Sequence, residues 1–97
     1  MTTLKLRDEA LADLEAIGEY GVAQFGLAAA EAYLRTIDAV VERLRQFPLS
    51  GRIREELASD VRSASAGQHY IFYRYAEDHV SVVRILHKSR DAEVWLS

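Results

Sequence analysis

The sequence contains no cysteine, which excludes disulfides and thiolate metal sites at once. Its five glycines stand singly, so there is no Gly-rich phosphate loop, and no GxSxG marks an activated serine. No apolar run approaches the roughly 18 residues that a membrane span needs. The opening MTTLKLRDEA lacks the h-region of a secretory signal. These absences predict a soluble, cytoplasmic protein with no membrane partner. Three histidines, His69, His79 and His87, fall on different predicted elements with no HExxH spacing, which predicts no metal site and no cofactor.

What is present is an ordinary globular mixture. The length of 97 residues predicts one domain over residues 1–97. Net charge is -3, so bulk electrostatics oppose nucleic-acid binding, but the charge separates along the chain. Between residues 8 and 42 stand eight acidic side chains and one basic one, Arg35. Between residues 61 and 90 stand five basic side chains, Arg62, Arg74, Arg84, Lys88 and Arg90, against Glu77 and Asp78. A locally positive surface is therefore expected in the C-terminal half.

Periodicity supplies the elements. In TTLKLR, Leu4 and Leu6 alternate with Lys5 and Arg7, the pattern of a short half-buried strand. Asp8 is placed to cap a helix whose apolar face runs Leu11, Leu14, Ile17, Gly21 and Phe25. Gly18 and Gly21 lower its propensity, and their missing side chains favour the approach of a second helix. Gly26 ends it. A longer helix over residues 27–47 carries the stripe Ala30, Tyr33, Leu34, Ile37, Val41 and Leu44, and Pro48 closes it. The short break makes the two an antiparallel helical hairpin.

Residues 48–60 read as a connector with one turn of helix or strand, 61–64 as a short strand, and 69–75 and 80–86 as strands joined by a turn over 76–79. The tail, 91–97, is expected to add a last short strand or to lie over the sheet edge. The fold class is α+β, in the order β-α-α-β-β-β, with the N-terminal helical hairpin packed on a small antiparallel sheet. Strand 69–75 is apolar in both phases, Ile71, Tyr73 and Tyr75 on one and Tyr70 and Phe72 on the other. The face away from the helices therefore needs a cover, from the tail or from a partner.

The basic cluster Arg62, Arg74, Arg84, His87, Lys88 and Arg90 is the one constellation suited to chemistry. Metal-free RNA cleavage needs a base, an acid and cations for the phosphorane charge, and His87 with arginines meets that demand on paper. The competing reading is a solvated surface, with Arg84 paired to Asp91 and Arg74 to Glu77, each pair worth roughly 0–1 kcal/mol. Arg84 fits that reading least, because it interrupts the apolar run VSVVRIL.

Six stretches, in order, resemble the ParE branch of the ParE/RelE toxin superfamily: EALADLEAI (residues 9–17), FGLAAAEAY (25–33), FPLSGR (47–52), VR (61–62), HYIFYR (69–74) and VVRILHKSRD (82–91). The resemblance implies the fold just derived and the toxin half of a type II toxin–antitoxin pair. ParE-like toxins bind DNA gyrase, stabilise its cleaved-DNA state and block replication. A cognate ParD-like antitoxin wraps them with its C-terminal segment and binds operator DNA with its N-terminal part, so the toxin meets DNA only indirectly. RelE-like relatives cut mRNA in the ribosome instead, and a homologue without activity persists as a co-repressor. The gyrase reading is favoured, because Trp95 stands where a nuclease Tyr is sought, indole is only a donor, and RIREEL balances its arginines with glutamates. On the nuclease reading the catalytic set is Arg62, Arg84 and His87. On the toxin reading the docking set for target or antitoxin is Arg62, Tyr70, Arg74, Arg84, His87, Lys88, Arg90 and Trp95.

Overall fold

The computed structural model describes residues 2–96, so Ser97, the last residue of the expected tail element, lies outside the described residues. The order is β1 (Thr3–Leu6), α1 (Asp8–Phe25), α2 (Leu27–Gln46), β2 (Arg52–Ile53), β3 (Val61–Ala66), β4 (His69–Ala76), β5 (His79–His87) and α3 (Ala92–Leu96). The strands form one sheet in the order β1-β5-β4-β3-β2. From β2 to β5 every pairing is antiparallel, but β1 joins β5 in parallel, from Thr3 opposite His79 to Leu6 opposite Val82. The expected all-antiparallel sheet is corrected at this edge. The partner of β1 lies at the other end of the chain, and no turn sequence announces it.

Asp8 is not the cap of α1. Arg7 is, with extended φ -68° and ψ 159° and no side-chain capping bond. Its N–H donates to Val82 O, so residue 7 still belongs to the sheet. Asp8 and Glu9 fall in the first turn, where their charge opposes the helix dipole. The inward stripe of α1 is Ala10, Leu14 and Ile17, whereas Leu11 and Phe25 are exposed, which corrects the expected face by a fraction of a turn. On α2 the stripe is as read, with Ala30, Ile37, Val41 and Leu44 buried. Gly26 alone makes the reversal. At φ 89° its N–H closes α1 on Val22 O, and its carbonyl accepts the Ala30 N–H of α2. The hairpin packs closely because a Cβ at Gly21 would stand 3.1 Å from that of Ala30.

The Ile71, Tyr73 and Tyr75 phase of β4 meets the helices, joined there by Val80, Val82 and Ile85. The Tyr70 and Phe72 phase faces the other way, with Val61 and Leu86. Leu57 and Ala58 of the connector cover part of that second face, and Ala92 and Leu96 of α3 cover another part. The tail is therefore a helix, not a strand. Arg90 N–H donates to His87 O and turns the chain off β5. The Asp91 carboxylate then accepts the Glu93 N–H at 3.1 Å, as an N-cap does.

Candidate functional site

The site begins where β1 runs out. Beyond Val82 the outer edge of β5 has no strand beside it, because the chain has already turned into α1. An edge N–H left there needs an acceptor. Asp13, from the second turn of α1, supplies it: Oδ2 accepts Ile85 N–H at 2.9 Å and Arg84 Nε at 2.8 Å, while Oδ1 accepts Arg84 Nη2 at 2.8 Å. The pair is a two-pronged fork, with side chains 13% and 17% exposed. Arg84 thus pairs with Asp13 and not with Asp91. A bulge between the Tyr73–Val82 and Phe72–Arg84 pairings leaves Val83 as the extra residue beside it.

Around this fork lies a cleft of about 550 Å³, lined among others by Ile17 and Tyr20 of α1, His87 of β5, and Arg90 and Trp95 of the tail. The Arg84 and Arg90 guanidinium carbons stand 5.4 and 4.9 Å from the indole ring of Trp95. An adjoining hollow of about 420 Å³ runs between the helices and includes Gly21, Phe25 and Tyr33. Both spaces share Ile17, Tyr20, His69 and His87, so together they form one trough along the helical hairpin.

His69 and His87 are cross-strand partners with ring centroids 5.3 Å apart. Tyr33 Oη lies 2.6 Å from His69 Nδ1 and also accepts Gln68 N–H. His87 Nδ1 accepts Ser89 N–H at 3.1 Å. Burial, and then the neighbouring His87, hold His69 below the ordinary histidine pKa, with Asp13 opposing weakly. The folded state therefore disfavours the His69 cation. The sign of the linkage follows. Stability from this group is complete above about 6.5, the unfolded value, and declines as pH falls through it towards the lower folded value. In urea titrations at pH 7.5 and 5.5, His69→Gln is expected to lose less midpoint than the wild type does. An equal loss in both proteins would remove His69 from the account.

The other expected site residues are distributed unevenly. The trough collects Arg84, His87, Arg90 and Trp95. Tyr70 and Lys88 lie on the opposite face of the sheet, where Lys88 Nζ donates to Ser65 Oγ at 2.6 Å. Arg74 pairs with Asp60, not Glu77. Arg62 donates to the carbonyls of Leu49 and Gly51 and pins the connector. His79 bonds Thr3 across β1 and β5. Among the described residues, no three metal-capable side chains converge. Asp13 and Arg54 are the residues that sequence reasoning missed. Asp13 reads as one more solvent carboxylate on an acidic helix, and Arg54 is masked by Glu55 and Glu56 beside it.

In chemical terms the trough offers cations, N–H donors and apolar wall. Among the described residues the only carboxylate lining it, Asp13, already accepts from three donors. Such a surface suits the docking of a segment with apolar and acidic side chains.

The likeness to known proteins runs nearly end to end. The family described as "ParE toxin of type II toxin-antitoxin system, parDE" matches residues 4–92. Toxin ParE1 of Caulobacter vibrioides is 32% identical over 96 residues, 99% of each chain. Toxin ParE1 of Mycobacterium tuberculosis is 36% identical over 89 residues, 91% of each. A solved chain of the chromosomal ParDE toxin–antitoxin system from P. aeruginosa superposes with a TM-score of 0.79 at 26% identity, covering 90% of this chain and 96% of that one. A chain of the M. tuberculosis RelBE2 complex shares the fold, with a TM-score of 0.68 at 19% identity over 90% of this chain and 98% of that one. With two helices on a five-stranded sheet and this span of matching sequence, the chain belongs to the ParE family of type II toxins.

Proposed function

We propose that this toxin acts in the cytoplasm on DNA gyrase, holding the enzyme in its cleaved-DNA state, and that a ParD-like, DNA-binding antitoxin neutralises it. The observation that carries the reading is the family match over residues 4–92, which takes in both long helices and all of the five strands except Thr3. The trough agrees with it. A ribosome-dependent nuclease of the RelE kind needs a free base and a free acid. Here the His87 Nδ1 lone pair is engaged with Ser89, and Asp13 is held by Arg84 and Ile85. The antitoxin segment docks along the trough, against Tyr20, Phe25 and Leu27, which stay exposed at the hairpin's end. Arg90, which makes no ion pair among the described residues, answers its acidic side chains.

The test is supercoiling by purified gyrase with the toxin added, alone and with the antitoxin. Cleaved DNA is expected to accumulate with toxin alone and to be absent with both. Unaffected supercoiling by folded toxin would overturn the gyrase assignment. Cut transcripts in a translation reaction would replace it with the nuclease.

A further inference from the structure

The fork and the indole leave one pair of titratable groups in the trough without a role. His69 opens β4 and His87 ends β5, so the register of the sheet sets their rings side by side. Tyr33 of α2 clasps the first of them. Its Oη accepts Gln68 N–H at 2.9 Å and lies 2.6 Å from His69 Nδ1 and 3.4 Å from Ala66 O. The clasp closes because residue 67 is glycine, at φ 59°: a Cβ there would lie 2.7 Å from a carbon of the Tyr33 ring. His87 has its Nδ1 on Ser89. Both Nδ1 nitrogens are thus engaged within the protein. Among the described residues neither Nε2 has a partner, and both rings line the trough.

The groups facing the pair come from every element packed around it. Helix α1 brings Asp13 and Tyr20, α2 brings Tyr33, β5 brings Arg84, and the tail brings Arg90. Asp13 is held by Arg84 and Ile85. A proton on either imidazole therefore meets the other imidazole and two guanidinium groups, with no free carboxylate to answer it. The depressed pKa of His69 agrees with this. We propose that docking in the trough takes up a proton: a carboxylate side chain of the antitoxin segment settles against His69 and His87 on the side of Arg90, and the imidazole pair is protonated once as it arrives. The inference rests on the trough being the antitoxin's docking surface. The proton comes from solvent. It belongs to the pair as a whole, because rings 5.3 Å apart titrate together and two positive charges there repel. An opposite charge within about 4–6 Å favours the charged form, so the first pKa of the pair rises in the complex. The sign follows. The added affinity is fully present below the pKa of the free pair and is lost as pH rises through the higher pKa of the complex. With an ordinary histidine near 6.5, that window falls at about pH 6–8. An apolar side chain against the same rings would act in the opposite sense, since desolvation expels the proton.

The test is calorimetry of the whole toxin with its purified antitoxin at pH 7.0, in phosphate and in Tris, whose ionisation enthalpies differ. Uptake of about 0.5–1 proton per complex is expected, with Kd falling about three- to tenfold from pH 8.0 to 7.0. The double variant His69→Gln, His87→Gln is expected to bind and to lose that uptake. Protons taken up by the antitoxin itself persist in the double variant and are subtracted. His79→Gln, at the far end of β5, keeps the uptake. Where the double variant does not fold, the imidazole NMR resonances of the unaltered toxin decide: their apparent pKa is expected to be higher in the complex than in free toxin. Proton release, uptake undiminished in the double variant, or imidazole pKa values that do not rise would overturn the proposal and leave the docking surface standing. Docking is read separately, by Arg90→Ala and Tyr20→Ala, each expected to weaken binding about fivefold or more. Unchanged affinity in both overturns the docking surface and the inference with it.

Discussion

Asp13→Ala is expected to lower folding stability by about 3 kcal/mol, the cost of breaking one partner out of a largely buried ion pair. The loss has two parts. Arg84, with a side chain only 17% exposed, keeps its charge and loses both prongs of the fork. Ile85 N–H, at an edge where β1 no longer reaches, loses its acceptor. Asp13→Asn keeps one oxygen for Ile85 and is expected to cost less than alanine does. Arg84→Met, which removes the stranded cation, is expected to restore part of the loss in an Asp13→Ala background. The double variant should then be more stable than the sum of the singles by 1 kcal/mol or more, as coupled neighbours are, at about that scale. Urea denaturation of the four proteins measures this directly. A loss below about 0.5 kcal/mol for Asp13→Ala would mean that the pair behaves as an exposed one, screened by water. Against a total of roughly 5–15 kcal/mol for a domain, the expected loss is large. It also separates Arg84 from Arg90. Substituting Arg84 disturbs the fold and the cleft together, so Arg90→Ala is the cleaner probe of antitoxin docking.

The contrast between Arg84 and Asp13 shows what a single sequence reveals. Arg84 stood out because a cation in VSVVRIL violates the local pattern, and burial with a partner is the physical resolution. Its partner did not stand out. A carboxylate on a helix crowded with carboxylates obeys its local pattern, and only the end of β1 makes it necessary. Alternation in β4 disclosed two apolar phases, and Gly26 disclosed the hairpin, because both signals are local. The parallel union of β1 and β5 joins residues from opposite ends of the chain and leaves no local trace. Asp91 did carry a signal, a capping residue before AEVWL, that the strand expectation passed over. Basic residues were legible as a group but not by role. Arg62 is a clamp on the connector, Arg74 an exposed pair with Asp60, and Lys88 and Arg90 stand on different surfaces. Spacing along strands assigns a side chain to a face, but what it finds there depends on the connector and tail that fold over it.

The connector is the weak point of that second face, and Gly51→Ala is expected to cost about 3 kcal/mol by displacing it. Gly51 is buried against Tyr73, and a Cβ there would lie 2.6 and 2.7 Å from two carbons of the Tyr73 ring, besides overlapping its hydroxyl. Neither side yields easily. Tyr73 is fully buried, and its Oη donates to Pro48 O at 2.8 Å while accepting Gly51 N–H at 2.9 Å. Burial raises the Tyr73 pKa, so the phenol remains a donor across the ordinary pH range. The added methyl must either push the ring out of the core or lift residues 48–53, taking the Arg62 bonds to Leu49 and Gly51 with them. Overpacking of this kind costs about 1–3 kcal/mol, and the orphaned polar groups add about 1–3 more. Tyr73→Phe alone leaves Pro48 O and Gly51 N–H unpartnered and is expected to cost about 1.5 kcal/mol. In the double variant the oxygen is gone and the clash is reduced, so the two losses should sum to more than the double variant shows. The same displacement moves Arg54, which follows Arg52 and Ile53 onto the second face.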